Sequence, residues 1–134
     1  MLAGCSTNNP VAAGLGFKPS AAKSEYLRTK GGGFVFNKGD GGGIESCRYL
    51  VMLAPVKPSS SPLYLRTRFE NPARSSNPLV VDSEMPRDSS TFTLESPPVR
   101  GLEPYLSYKI EVLVFDTPER THQIGQHVQS LVAF

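Results

Sequence analysis

The sequence predicts an all-β protein, two sheets packed as a sandwich. Three observations carry that expectation. From residue 44 onward, apolar β-formers come in short runs separated by clusters of Pro, Asn, Ser and Asp. Two of the runs alternate apolar with polar, as a strand with one buried face must. Prolines recur too densely for any long helix: Pro55, Pro58, Pro62, Pro72, Pro78, Pro86, Pro97, Pro98 and Pro118. The predicted strands are 46–54, 63–70, 79–83, 90–95, 105–115 and 126–133.

Ahead of them the chain is poor in apolar residues. Residues 6–32 are rich in Ser, Asn, Ala, Gly and Pro, and Val11, Leu15, Phe17, Tyr26 and Leu27 are too sparse to bury a face. Residues 1–32 therefore read as a flexible tether, and 33–134 as the folded domain. Glycine triplets at 31–33 and 41–43 bracket Phe34-Val35-Phe36, expected to be one short strand between loops. The order Lys38-Gly39 is reversed from that of a phosphate-binding loop, and no Gly-Lys-Ser/Thr occurs.

Within 63–70, Leu63, Leu65, Thr67 and Phe69 share one side, while Tyr64, Arg66, Arg68 and Glu70 share the other. In 105–115 the inward set is Tyr108, Ile110, Val112 and Val114. Leu113 and Phe115 fall on the outward parity beside Lys109 and Glu111. They form either an exposed patch with Tyr64 or a surface covered by the glycine-rich loop. In the last segment Ile124, Val128 and Leu131 would line one helical face. The alternation of Val128, Ser130, Val132 and Phe134 favours a closing strand.

Composition narrows the class. A chain of 134 residues, 39% hydrophobic with 12 Gly and 12 Pro, suits one turn-rich β domain and a tail. Net charge is +2 with both signs interspersed, so nothing forms the basic field a nucleic-acid partner requires. No run approaches the roughly 20 apolar residues of a membrane span. The two cysteines, Cys5 and Cys47, allow one disulfide in an oxidising compartment.

Leu2-Ala3-Gly4-Cys5 resembles the lipobox of bacterial lipoproteins. The resemblance implies that Cys5 becomes the first mature residue and carries acyl chains, attaching the protein to a membrane through its N-terminal lipid. It also implies a basic, apolar leader, of which the sequence holds only Met1 and Leu2. Ser6, where inner-membrane lipoproteins usually carry Asp, implies the periplasmic face of the outer membrane. If Cys5 is acylated it cannot pair with Cys47. Cys47 then reads as an inert thiol, a small hydrophobe in the apolar run 47–53.

Residues 102–112 carry Leu-x-Pro-x-x-x-Tyr-x-Ile-x-Val, which resembles the tyrosine corner of fibronectin type III and immunoglobulin-like domains. The resemblance implies a Greek-key sandwich over roughly 44–134, with Tyr108 as the corner tyrosine. A chain crossing between sheets leaves backbone groups unpaired, and a buried tyrosine can bond them with its hydroxyl. Leu102 closes the core and Pro104 stiffens the corner. Fibronectin-type domains place a tryptophan on the second strand. This chain has none, so Tyr49 or Leu53 must fill that volume.

The chemistry-bearing residues do not converge. His122 and His127 lie five apart, away from metal-ligand spacing, and read as exposed residues of the last hairpin. No Gly-x-Ser-x-Gly elbow occurs. Asp82, Glu84 and Asp88 read as a solvated face and a turn, without the pattern of a calcium loop. No catalytic residue, metal or cofactor is expected. Arg66 and Arg68 share one exposed strand face and are the candidate protein-binding residues. Solubility and edge protection account for them equally well. The expected function is that of a non-catalytic outer-membrane lipoprotein. Its periplasmic sandwich would bind another envelope protein, as an accessory subunit of a secretion or envelope assembly. The alternative is a surface glycan- or small-ligand-binding module using Tyr64, Tyr105 and Phe115.

Overall fold

Strands form where β-branched and aromatic residues cluster, and their register follows from which face is apolar. The computed structural model describes residues 17–18, 24–38, 44–74 and 76–133. Eight strands follow in order: β1 (Phe17–Lys18), β2 (Leu27–Lys38), β3 (Ile44–Pro55), β4 (Tyr64–Phe69), β5 (Leu79–Glu84), β6 (Phe92–Glu95), β7 (Ser107–Phe115) and β8 (Gln123–Val132). They make two antiparallel sheets. The larger has the order β1-β8-β7-β4-β5 and the smaller β2-β3-β6. The chain passes between sheets from β1 to β2, from β3 to β4, from β5 to β6 and from β6 to β7. The result is a Greek-key β-sandwich, as the sequence predicts.

Inward residues of both sheets form the core. Leu65, Thr67 and Phe69 of β4 and Tyr108, Ile110, Val112 and Val114 of β7 are all buried, on the predicted parity. Tyr49 of β3 is the largest fully buried side chain among the described residues. Its ring stacks on Phe69 at 5.6 Å between centroids and meets Phe34 at 5.5 Å and Tyr108 at 6.3 Å. Its hydroxyl donates to the carbonyl of Glu70 (2.8 Å). Burial pushes the Tyr49 phenol well above its ordinary pKa. At the corner, the Glu103 N–H donates to Tyr108 Oη (2.8 Å), and Leu102 is buried beneath it.

Three expectations need correction. The first is the tether. Residues 24–32 belong to the sandwich: β2 pairs with β3 along its whole length, and Leu27 is buried. The glycine triplet 31–33 sits inside the strand, not in a loop. A Cβ on Gly32 would lie 2.7 Å from Leu131 Cδ2, so this glycine lets the sheets approach. Apart from residues 17–18, the rest of the expected tether, Cys5 included, lies outside the described residues.

The second concerns β8. It is a strand, but its buried residues are His127, Gln129 and Leu131, with Ala133 just beyond its end, the parity opposite to Val128, Ser130 and Val132. Pairing with β7 sets this, with Leu131 opposite Tyr108 and His127 opposite Val112. The third is Cys47. It is buried, and its sulfur is part of a disulfide instead of an inert thiol.

Candidate functional site

The outward face of the larger sheet is built from alternate residues of β5, β4 and β7. It is here that Arg66 and Arg68 stand. Arg66 lies opposite Asp82 in the β4–β5 register. Its Nε and Nη2 donate to the two carboxylate oxygens at 2.9 and 3.2 Å. That bond holds the Arg66 guanidinium above its ordinary pKa and the Asp82 carboxyl below its own. Arg68 lies opposite Glu111 of β7, with Nη1 3.5 Å from Oε1. The two arginines do share one face, and each already faces a carboxylate.

A third arginine, which sequence reasoning missed, organises this surface. Arg120, in the β7–β8 loop, folds back over the sheet. Its Nε donates to the Leu65 carbonyl (3.0 Å) and its Nη2 to the Ser83 carbonyl (2.8 Å). The guanidinium also lies 5.7 Å from the Tyr64 ring centroid and 3.7 Å from Asp82. One side chain thus ties β4, β5 and the last hairpin together. Nothing in the local pattern around Thr117–His122 distinguishes it from a solvated turn residue.

Of the two alternatives for Leu113 and Phe115, the exposed patch is excluded. Leu113 and Phe115 are both buried. On this face their register neighbours are Arg66 and Gln126, and Tyr64 and Gln123. Phe115 is buried, Tyr64 lies beneath Arg120, and Tyr105 belongs to the opposite end. The three aromatics of the glycan reading therefore do not form one platform.

Grooves among the described residues open at two places of interest. One of about 290 Å³ adjoins the arginine face and is lined by Arg68, Glu70, Pro78, Lys109 and Glu111. The other, about 360 Å³, lies at the end of the sandwich that holds the β7–β8 loop. Leu63 and Met85 form its apolar floor, Tyr26 and Pro58 its walls, and Glu25 and Lys57 its charged rim.

The histidines occupy contrasting sites. His122 is exposed, and its Nδ1 is 2.9 Å from the Asp116 carboxylate. His127 is buried, contrary to expectation, in the seam where β8 faces β2. Its Nε2 is 2.7 Å from Thr29 Oγ1, and that hydroxyl donates to Gln129 Oε1 at 3.1 Å. The network assigns the proton to Nε2. His127 Nδ1 and Gln129 Nε2 have no hydrogen-bond partner among the described residues. Burial lowers the His127 pKa. Among the described residues no group of three His, Cys, Asp or Glu is placed to hold a metal ion. Asp82 is committed to arginine, and Asp88 accepts from the Ser90 N–H (3.0 Å).

Comparison with protein-family models, with curated proteins and with solved structures returns no match.

Proposed function

We propose that this chain is a non-catalytic protein of the periplasmic cell envelope, an oxidising compartment in keeping with the Cys47 disulfide. Its β-sandwich binds another cell-envelope protein and serves as an accessory subunit of a secretion or envelope assembly. The observation that supports docking is the arginine face. Arg66 and Arg68 stand in one row, bordered by the Arg68–Lys109 groove and flanked by Arg120 over Tyr64 and Asp82. A partner presenting carboxylates can share the guanidinium donors with Asp82 and Glu111 without rebuilding the sheet.

The paired change Arg66→Glu and Arg68→Glu tests the surface. The fold should persist, because outward strand positions tolerate charge, while envelope partners captured by the wild type are lost. Identical partner sets for the two proteins would remove this face from the interface. Hydrolysis of a cell-wall substrate by the purified domain would overturn the docking reading itself.

The lipid anchor expected at Cys5 competes with the Cys47 disulfide. The chain holds two cysteines, and one sulfur cannot carry both a lipid and a disulfide. After expression behind a lipoprotein leader, acyl mass on the Cys5 peptide supports the anchor. A Cys5 peptide recovered in a disulfide overturns it.

A further inference from the structure

β5 ends one side of the larger sheet, and only its two carboxylates, Asp82 and Glu84, blunt that edge. Its register with β4 runs unbroken from Leu79 to Glu84, and the strand holds no lysine and no proline. A bulge, a lysine or a proline is the ordinary means of keeping an open edge from pairing with another chain. β2, at the edge of the smaller sheet, has such protection: two irregularities in its register, with Lys30 inside the first. One hydrogen bond fixes which way the β5 backbone groups point. The Met85 N–H donates to the Leu63 carbonyl (3.0 Å), one step beyond the Tyr64–Glu84 pair. Bonded and non-bonded pairs alternate along an antiparallel ladder. Ser83, Val81 and Leu79 therefore bond to β4, while Val80, Asp82 and Glu84 turn N–H and C=O to the open edge.

The side chains divide on the same parity. Leu79 and Val81 are partly buried and pack against the core. Val80 points outward, opposite Arg68 in the β4 register, and is 49% exposed. The run Leu79-Val80-Val81 is thus apolar on both sides of its middle residue. Laid antiparallel on a copy of itself and centred on Val80, it sets Val80 against Val80 outward and Leu79 against Val81 inward. The central pair is then hydrogen-bonded, because both residues offer N–H and C=O to the edge. Asp82 falls opposite Pro78, whose carbonyl accepts from the Asp82 N–H. Centring on Asp82 would instead set two carboxylates face to face, and centring on Val81 would set Val80 against Asp82. The charges single out the register that joins the apolar residues.

We infer that β5 pairs with β5 of a second copy of this chain, antiparallel and centred on Val80. Two five-stranded sheets become one continuous sheet, related by a twofold axis through the join. The occupant is a second copy because the strand is complementary to itself: one register brings its apolar residues together and keeps its carboxylates apart. Arg68 of each copy stands about 14 Å from the other across the join, beyond the screening length of about 8 Å, so the arginines do not oppose it. The contact spans residues 78–82 of each copy. An interface that small makes a dimer that comes and goes with concentration. The pairing is independent of what the arginine face binds, and it places Arg66 and Arg68 of both copies on one broad surface.

Sedimentation equilibrium of the full chain, from micromolar to millimolar concentration, reads the association, and amide hydrogen exchange locates it. The wild type should form dimers. As dimer accumulates, the Val80 and Asp82 amides should exchange several-fold more slowly, while the Val81 amide, bonded to β4 in either state, changes little. Val80→Lys sets two ammonium groups against each other and should weaken association several-fold. Thr93→Lys, at an exposed position of β6, should leave association unchanged. A monomer at every concentration overturns the inference. So does a dimer that Val80→Lys leaves intact, or one whose formation does not slow exchange at Val80, because either result puts the contact elsewhere. The exchange measurement uses the wild type alone, so it decides the matter even where a substituted chain does not fold.

Discussion

Buried polar side chains fare differently in two parts of this sandwich. Near the corner, Tyr49 and Tyr108 each hydrogen-bond a backbone group, the Glu70 carbonyl and the Glu103 N–H. Along the seam between β2 and β8, His127 and Gln129 crowd around the single hydroxyl of Thr29. Each keeps one nitrogen without a partner among the described residues. A buried polar atom that is satisfied fixes geometry, whereas one left over carries a desolvation cost of about 1–3 kcal/mol. The comparison teaches that the fold is specified at the corner and only tolerated at the seam.

The strongest way to sharpen that contrast is to empty the corner's aromatic cluster. Tyr49→Ala removes the ring that meets Phe34, Phe69 and Tyr108 and should cost about 3–5 kcal/mol in a denaturant melt, as large-to-small aromatic changes do. A loss under about 1 kcal/mol would show that the cluster does not hold the sheets together. Next in size is Gly125→Ala at the seam. An added Cβ would stand 2.6 Å from Tyr26 Cε2, a ring wedged between the sheets. Overpacking of this kind costs about 1–3 kcal/mol. Wild-type stability in this variant would mean that the seam yields freely.

A matched pair breaks the comparison most directly. Tyr108→Phe leaves the Glu103 N–H unpaired and should cost about 1 kcal/mol. Gln129→Leu removes a polar group that was never fully satisfied, so it should be neutral or stabilising. Equal losses in calorimetry for the two would erase the distinction drawn here. The smallest effect at neutral pH grows on acidification. An unfolded histidine titrates near 6.5, and burial lowers His127 in the folded protein. Between those two values the unfolded chain binds the extra proton, so stability falls as pH drops through that window. His127→Gln should flatten this dependence between about pH 7 and 5. His122→Gln, at an exposed pair with Asp116, serves as the comparison, and matching curves for the wild type and His127→Gln would assign the effect elsewhere.

Much of the larger sheet was legible because its strands alternate. Leu65, Thr67, Phe69 and the run Tyr108–Val114 announce an inward face through a period of two. The corner was legible because a turn between sheets has few solutions. β2 was not, since its stability comes from pairing with β3 while its glycines suggest a loop. The seam was hidden for a related reason. Thr29, His127 and Gln129 are inward residues of a type that ordinarily marks an outward face, so the apolar valines at 128 and 132 suggested the wrong parity. Arg66 and Arg68 were legible as neighbours on one face, but their carboxylate partners come from other strands. Arg120 reaches the site only through the path of a loop. Such pairings are properties of register, which no single run of residues displays.

The bond between Thr29 and His127 also joins positions 98 residues apart. The first long strand and the last therefore close against each other only after nearly the whole chain has been made. Contacts of such separation slow folding, because the loop between them must be ordered first. Until then the edges of both sheets remain open to other chains, and the interval before β8 docks on β2 is when this protein is most exposed to mispairing.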